Sequence, residues 1–372
     1  MYLYQKKDWP TFSWDHATLL PYVGKVRDLQ GRLIGRMESI GFKLREEAVL
    51  DTLTEDVLRS NEIEGEFLNP DEVRSSVARR LGMETVGLPV ASRSVDGVVD
   101  MMLDATQKYQ EILTKERLFS WHAALFPTGR SGMYKITVGN WRNDDQGPMQ
   151  VVSGPIGKEK VHYTAPEAFR LEEDMSQFIT WFNADETTEP VIKSALAHLW
   201  FVSIHPFDDG NGRIGRAIAD IQLARVDRTN QRFYSMSAEI LKSKKGYYNI
   251  LESTQKGSLD VSQWLVWYIE RLIDALESTN KTLSKILIKA KFWELHKTTR
   301  FNERQIEMIN KLQSNFVGKL NSSKWAKITK VHRDTARRDI QDLIEKDILL
   351  ISDEGGRSTN YILNLSNLKE KE

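Results

Sequence analysis

The sequence predicts a mainly helical fold: a helical domain with a β-hairpin flap, preceded by a helical extension and followed by a winged helix-turn-helix. Three observations predict it. Apolar residues recur at helical spacing along most of the chain. Strand signals are confined to two short stretches. At 40% hydrophobic and 28% charged over 372 residues, the composition is that of a globular protein with a sizeable core. The 52 basic and 52 acidic side chains balance. That excludes a bulk polycation coating nucleic acid by charge alone, but not a local basic patch. The absence of cysteine excludes a disulfide framework, a Cys-based zinc site and a cysteine nucleophile.

The elements follow in order. Residues 1–8 have no apolar core of a signal peptide, and no apolar run is long enough to span a bilayer. The expectation is a soluble, cytoplasmic protein with no membrane contact. Residues 48–59 place Val49, Leu50, Leu53, Val57 and Leu58 on one side of a helix. Residues 92–113 continue the period through Val95, Val98, Met102, Ala105, Tyr109 and Leu113. Residues 166–183 read as a helix with Pro166 near its start and acidic early turns. Residues 191–204 are largely apolar and predict a buried central helix; 213–225 and 261–287 predict two more. Residues 150–153 and 159–163 flank Gly154-Pro155-Ile156-Gly157 and read as a hairpin. Residues 322–330 and 334–346 read as helix–turn–helix, and 348–352 and 360–363 flank a turn at 353–357. The expected regions are 1–88, 89–288 and 289–372. Their linkers are not Gly/Ser-rich, so the first two are expected to pack in fixed arrangement.

The most informative stretch is His205-Pro206-Phe207-Asp208-Asp209-Gly210-Asn211-Gly212-Arg213-Ile214-Gly215-Arg216. It falls between two predicted helices. Gly210 and Gly212 allow a tight turn, and successive amides at a helix N-terminus form an anion-binding concavity. Arg213 and Arg216, three apart, bring two guanidinium forks to one side, which suits a polyphosphate. Asp209 offers a hard oxygen to Mg²⁺, which commonly joins one or two carboxylates to substrate phosphates. His205 is the nearby side chain able to take a proton at neutral pH. Together these argue for nucleotidyl or phosphoryl transfer.

HPFDDGNGRIGR resembles the signature of the Fic family, HPFx[D/E]GNGRxxR, with no departure at a defined position. The resemblance implies transfer of AMP from ATP to a Ser, Thr or Tyr hydroxyl of a target protein. It implies His205 as general base, Asp209 as ligand of Mg²⁺ (or Mn²⁺), and Gly210, Asn211 and Gly212 as the anion hole. Arg213 and Arg216 would hold the β- and γ-phosphates, with Ile214 and Gly215 between them in the nucleotide site. Phe207 would anchor the loop, and Asp208 would be solvated.

Upstream, Ser60-Asn61-Glu62-Ile63-Glu64-Gly65 reads by itself as an acidic helix end with a glycine cap. Beside the first motif it resembles the inhibitory [S/T]xxxE[G/N], matched by Ser60, Glu64 and Gly65. That match implies a self-inhibited protein in which Glu64 pairs with Arg216. The hairpin, through Val152, Ser153 and Gly154, resembles the Fic flap, on which an extended target segment docks by strand addition; by itself it could equally be structural. Tyr247 and Tyr248 resemble an adenine-side wall, with Gln255 one to two turns on, and core packing is the alternative. The C-terminal module places Lys319, Lys324, Lys327, Lys330, Arg333, Arg337 and Arg338 against Asp334 alone, as a DNA-binding face or a protein-docking one. A homodimer holding the inhibitory helix is implied by resemblance only. The alternatives to adenylyl transfer are a nucleotide-sensing DNA-binding regulator, AMP removal, or transfer of another phosphate-containing group.

Overall fold

The computed structural model describes all residues except 40–41, 84–88, 146, 156, 185–186, 314–315, 317–318, 353–358 and 367–372. The turn expected at 353–357 therefore lies outside the described residues, as do Gln146 and Ile156 of the flap region. The chain divides into two compact units, Met1–Thr279 and Asn280–Glu372.

The first unit begins with α1 (His16–Ser39), α2 (Phe42–Ile63), α3 (Pro70–Arg80), α4 (Arg93–Gln107) and α5 (Lys115–Leu125). A short antiparallel pair, β1 (Arg130–Ser131) and β2 (Tyr134–Lys135), precedes the antiparallel hairpin of β3 (Gln150–Ser153) and β4 (Lys160–Thr164). Then come α6 (Leu171–Ala184), α7 (Pro190–Ile204), α8 (Asn211–Asp227), α9 (Met236–Lys242), α10 (Lys244–Gln255) and α11 (Ser262–Leu295), the last crossing the division between units. No helix among the described residues is long and apolar enough to cross a membrane.

The core centres on α7, whose residues from Val191 to Ile204 are all buried. Pro190 at its first turn needs no hydrogen-bond partner for its nitrogen, and the Glu189 carboxylate accepts from the Val191 and Ile192 amides. α8 packs along α7, and α2 packs against α3, α4, α8 and α9. The N-terminal aromatics join this core: Trp9 and Phe12 stand edge-on to Trp200, with ring centroids 6.1 and 5.9 Å away.

Two sequence expectations change here. The helix expected over 92–113 stops at Gln107, where Lys108 departs from helical geometry and the chain turns. Leu113 is buried all the same, because Asn183 accepts from its N–H and donates to its carbonyl. Residues 244–251, expected to precede a helix, are themselves the first two turns of α10.

The second unit contains α12 (Glu303–Leu312), α13 (Ser322–Thr329), α14 (Arg333–Glu345) and the antiparallel pair β5 (Leu349–Ile351) and β6 (Tyr361–Leu363). Its core gathers Met308, Trp325, Ile340, Leu343 and Ile348. Asn321 caps α13 by accepting from Lys324 N–H. Arg333, Arg337 and Arg338 are exposed along the start of α14.

Candidate active site

The signature loop joins α7 to α8, and the sequence builds it rigidly. α7 ends at His205 in the left-handed conformation (φ 54°). Asn211 braces the loop: its side chain accepts from Phe207 N–H at 3.0 Å and donates to Phe207 C=O at 2.8 Å. Its side chain is thus tied within the loop and does not project into the expected anion hole. Gly210, at φ 82°, fits where a Cβ would come within 2.9 Å of the Phe126 ring. Phe207 is fully buried and stacks on His122, centroids 4.2 Å apart. Asp208, expected to be solvated, instead accepts from Thr137 N–H at 2.7 Å and is only partly exposed. The segment before the flap needs that acceptor, because the Thr137 amide has no strand partner.

His205 Nδ1 lies 3.2 Å from Val202 C=O. A carbonyl only accepts, so Nδ1 carries the hydrogen and Nε2 is left as the bare, proton-accepting nitrogen. Burial pushes the imidazole down to about 4, so the ring is neutral at pH 7. Asp209 keeps 41% of its side chain exposed. Its Oδ1 accepts from the Gly210 amide at 2.5 Å, and its Oδ2 accepts from the Ser131 hydroxyl.

The arginines are buried, and each meets the segment that follows α2. Arg216 Nε donates to Ser60 Oγ at 2.9 Å, and Nη2 donates to Ser60 C=O and Glu64 Oε1, both at 2.8 Å. The Glu64 carboxylate also lies over the start of α8: a Cβ on Gly212 would fall 2.2 Å from Glu64 Oε1. Glu64 therefore occupies the positive end of the helix, where an anion is favoured. Gly65 turns at φ 84°, which carries Glu66 back so that Arg213 Nη1 donates to its Oε2 at 2.5 Å. Arg213 Nε and Arg216 Nη1 are buried N–H groups with no partner among the described residues. Such orphan donors call for an acceptor, and phosphate oxygens supply several.

The same orphan donors, set beside a half-exposed carboxylate, fit a phosphate-bound divalent cation. No cluster of three or more His, Asp or Glu residues able to hold a metal by themselves occurs among the described residues. Mg²⁺ needs few protein ligands when phosphates supply the rest.

The structure sorts the remaining expected residues. Ile214 is fully buried, and Gly215 lies where a Cβ would stand 2.9 Å from Val202. Gly215 thus lets α8 approach α7 closely. Tyr247 is buried with its hydroxyl 2.8 Å from His198 Nε2, so core packing claims it. Tyr248, turned about 100° away on α10, is half-exposed, and its hydroxyl lies 3.1 Å from Ile63 C=O and 3.3 Å from Glu64 Oε2. Gln255 is buried and donates to Ser203 Oγ at 3.2 Å, two residues before His205. On the flap, Val152 is 47% exposed and Ser153 is exposed, while Gly154 turns at φ 106°.

Several residues that position the site carry no motif signal. Arg142, fully buried, donates through Nε to His205 C=O at 2.8 Å and through Nη2 to Pro166 C=O at 2.5 Å, while Nη1 pairs with Asp144. His122 accepts from Gly139 N–H and donates to Asp209 C=O, each at 3.2 Å. Glu66 stands just past the end of the inhibitory pattern. Only the turn at Gly65, with its positive φ, brings it to Arg213, and that is not written in residue spacing.

A neutral histidine, a loop opening onto a helix N-terminus and a pair of buried arginines with orphan donors stand together on a helical scaffold. The sequence matches the Fic/DOC family over residues 112–223. Residues 2–83, which include Glu64, match a domain of unknown function, DUF4172. A probable protein adenylyltransferase of Aquifex aeolicus is 24% identical over 226 residues, 60% of this chain and 62% of that protein. The protein adenylyltransferase Fic of Drosophila sechellia is 24% identical over 208 residues, 53% of this chain and 36% of that protein. The chain thus spans under two thirds of the length of these relatives. Among solved structures, a Fic family protein from Desulfovibrio desulfuricans shares the fold at TM-score 0.54 and 19% identity, covering 95% of this chain and 98% of that one. A Fic domain containing signaling protein from Bacteroides thetaiotaomicron aligns at TM-score 0.53 and 19% identity, over 70% of this chain and 97% of its own.

Proposed function

We propose that this protein transfers AMP from ATP to a Ser, Thr or Tyr hydroxyl of a target protein, and that Glu64 restrains it. His205 Nε2 takes the hydroxyl proton as that oxygen attacks the α-phosphorus. The amides of Gly210 to Gly212 and the two arginines bind the phosphates and orient pyrophosphate for in-line departure. Asp209 holds Mg²⁺, which when bound neutralises charge on the phosphates. The unpaired edge of β3, with Val152 and Ser153, takes an extended target segment by strand addition. The observation that carries the reading is the Glu64 carboxylate at 2.8 Å from Arg216 and over Gly212, an internal anion at the place where a phosphate would sit.

In the test, purified wild-type, E64G and E64G/H205A proteins are incubated with lysate and ATP labelled at the α-phosphate. The expected result is at least tenfold more protein-bound label with E64G than with wild type, and loss of that label with E64G/H205A. Equal labelling by wild type and E64G contradicts the restraint, and label surviving H205A contradicts the base.

A second reading concerns the C-terminal unit as a DNA-binding module. The exposed Arg333, Arg337 and Arg338 at the start of α14 favour it. It predicts retention on DNA that weakens steeply with salt and is lost in R337A/R338A. Salt-independent retention, or none, contradicts it.

A further inference from the structure

Two rungs join α2 to α8. At the first, Arg216 holds Ser60 and Glu64. Asp56 stands four residues before Ser60, and Asp220 four residues after Arg216, so one helical turn further along the same two faces a second rung forms. Its two carboxyls are 1% and 2% exposed and lie within hydrogen-bonding reach of each other. Asp56 Oδ1 accepts from the Ser235 hydroxyl at 2.5 Å and from Ser237 N–H at 3.3 Å, which ties α2 to the start of α9 as well. Asp220 Oδ1 accepts from Arg232 Nη2 at 2.6 Å. Asp56 Oδ2 is buried with no partner among the described residues.

Two ionised carboxylates only accept, so they cannot bond to each other, and burial strengthens their repulsion. One proton between them supplies the missing donor, and the buried guanidinium of Arg232 then faces the one charge that remains. Burial first, and then the Asp56 charge, raise Asp220 to about 7 against the lowering pull of Arg232. The other groups around the pair leave that balance in place. Burial pushes the Tyr268 phenol of α11 up, so it stays neutral, and α7 presents the Ser194 hydroxyl, which donates to Ala219 C=O. His198, also on α7, is held neutral by burial. The α4 carboxylates Asp96 and Asp100 pair with Arg80, and Asp104 with Arg117 of α5. Glu239 of α9 pairs with Lys242, and on α2 Arg59 pairs with Glu55 and Glu62. Asp227, at the end of α8, accepts from Gln30 and Tyr234 and bears on the pair through Arg232.

We propose that the Asp56–Asp220 pair is a proton-held latch on the restraining helix α2; this rests on the reading above of adenylyl transfer restrained by Glu64. With the proton in place, α2 stays docked on α8 and Glu64 stays over the loop. When the proton passes to water, two buried like charges push α2 away, and Glu64 is withdrawn from Arg216. The sign follows from linkage. Release exposes the pair to water and returns Asp220 toward the ordinary carboxylate range, so the docked state binds a proton that the released state gives up. Docking is therefore tightest in acid, weakens as pH rises from that range toward 7, by up to about tenfold per pH unit, and weakens no further above it.

In the test, transfer of AMP from α-labelled ATP to lysate protein is followed for wild type and E64G from pH 5.5 to pH 8. The ratio of the two rates is taken at each pH, which cancels any titration of the chemistry they share. The ratio is expected to rise roughly fivefold or more from pH 5.5 to pH 7 and then to level off. In D56N the amide donates to Asp220 at every pH, while the carbonyl keeps the bonds from Ser235 and Ser237. The ratio of D56N to D56N/E64G is therefore expected to stay low and flat, with D56N/E64G as active as E64G. D220N supplies the same bond from the other side and gives the same flat ratio. A wild-type ratio that does not change with pH, or one that changes equally in D56N and D220N, overturns the latch and leaves transfer and restraint standing. An E64G protein that transfers nothing overturns the adenylyl-transfer reading. Equal transfer by wild type and E64G at every pH overturns the restraint. Either result takes the latch with it.

Discussion

Glu64 and Glu66 stand on either side of Gly65, and each carboxylate meets one arginine of the signature loop. The two contacts differ in burial. Glu64 keeps 28% of its side chain exposed and Glu66 keeps 48%, so the second pair is the more screened. Releasing Arg213 should still help ATP, because a guanidinium already paired must give up that partner to take a phosphate. For E66Q we expect ATP to bind about 2–5-fold more tightly by calorimetry, the equivalent of roughly 0.5–1 kcal/mol for a half-exposed ion pair. Unchanged affinity would show that Arg213 is not engaged by the nucleotide. At this scale the sequence was legible where chemistry is written as spacing. His205, Asp209, Arg213, Arg216 and Glu64 all stand at the loop or over it. Glu66 was illegible, because its partner Arg213 is brought in from a segment well over a hundred residues away.

The working element is the pair α7 and α8 with the loop between them. An apolar run made α7 legible, since a helix buried on every side needs no amphipathic period. The end of α4 was not legible, because Leu113 is apolar and buried yet lies beyond the helix, held by Asn183. The tyrosine pair shows the same limit: sequence places two rings side by side, and only the helix decides which one faces the core. Arg142 ties three segments to this element through a planar fork with five donors. Lysine keeps the charge and cannot reproduce that fork. We expect R142K to lose about 2–4 kcal/mol of stability in urea unfolding, from buried carbonyls left without donors, and to lower transfer by the E64G protein. A loss under 1 kcal/mol would show that the loop does not depend on this brace.

Across the larger unit, buried histidines and buried aspartates pull the response to acid in opposite directions: burial lowers His122, His198 and His205 and raises Asp220 to about 7 and Asp227 to about 6. Burial pushes His122 down to about 4 and His198 down to about 3. Both nitrogens of His122 are engaged in the neutral form, by Gly139 N–H and Asp209 C=O. Between the ordinary histidine value and these lowered ones, the unfolded chain binds protons that the folded chain refuses. Their contribution is therefore fully present above about pH 6.5 and is lost as pH falls toward 4, by up to about 1.4 kcal/mol per histidine for each pH unit. The loss of stability between pH 7 and pH 5 should be smaller, or the gain larger, in H122Q than in the wild type, measured as unfolding free energy at both values. An H122Q protein whose stability changes between the two values just as the wild type's does contradicts the burial of the neutral His122 ring. At this scale the helical class and the hairpin were legible from periodicity and from glycine-proline turns. The division of the chain was less so, since α11 runs unbroken through the point where the compact units part.

The central claim is that the loop between α7 and α8 transfers the adenylyl group, with Glu64 standing in its way. The most direct measurement supplies E64G protein with ATP labelled either at the α- or at the γ-phosphate and identifies the acceptor side chains by mass spectrometry. The account predicts protein-bound label from the α-position only, as AMP on hydroxyl side chains, and none when His205 is also replaced by alanine. Label arriving from the γ-position, or α-label that persists without His205, would contradict it.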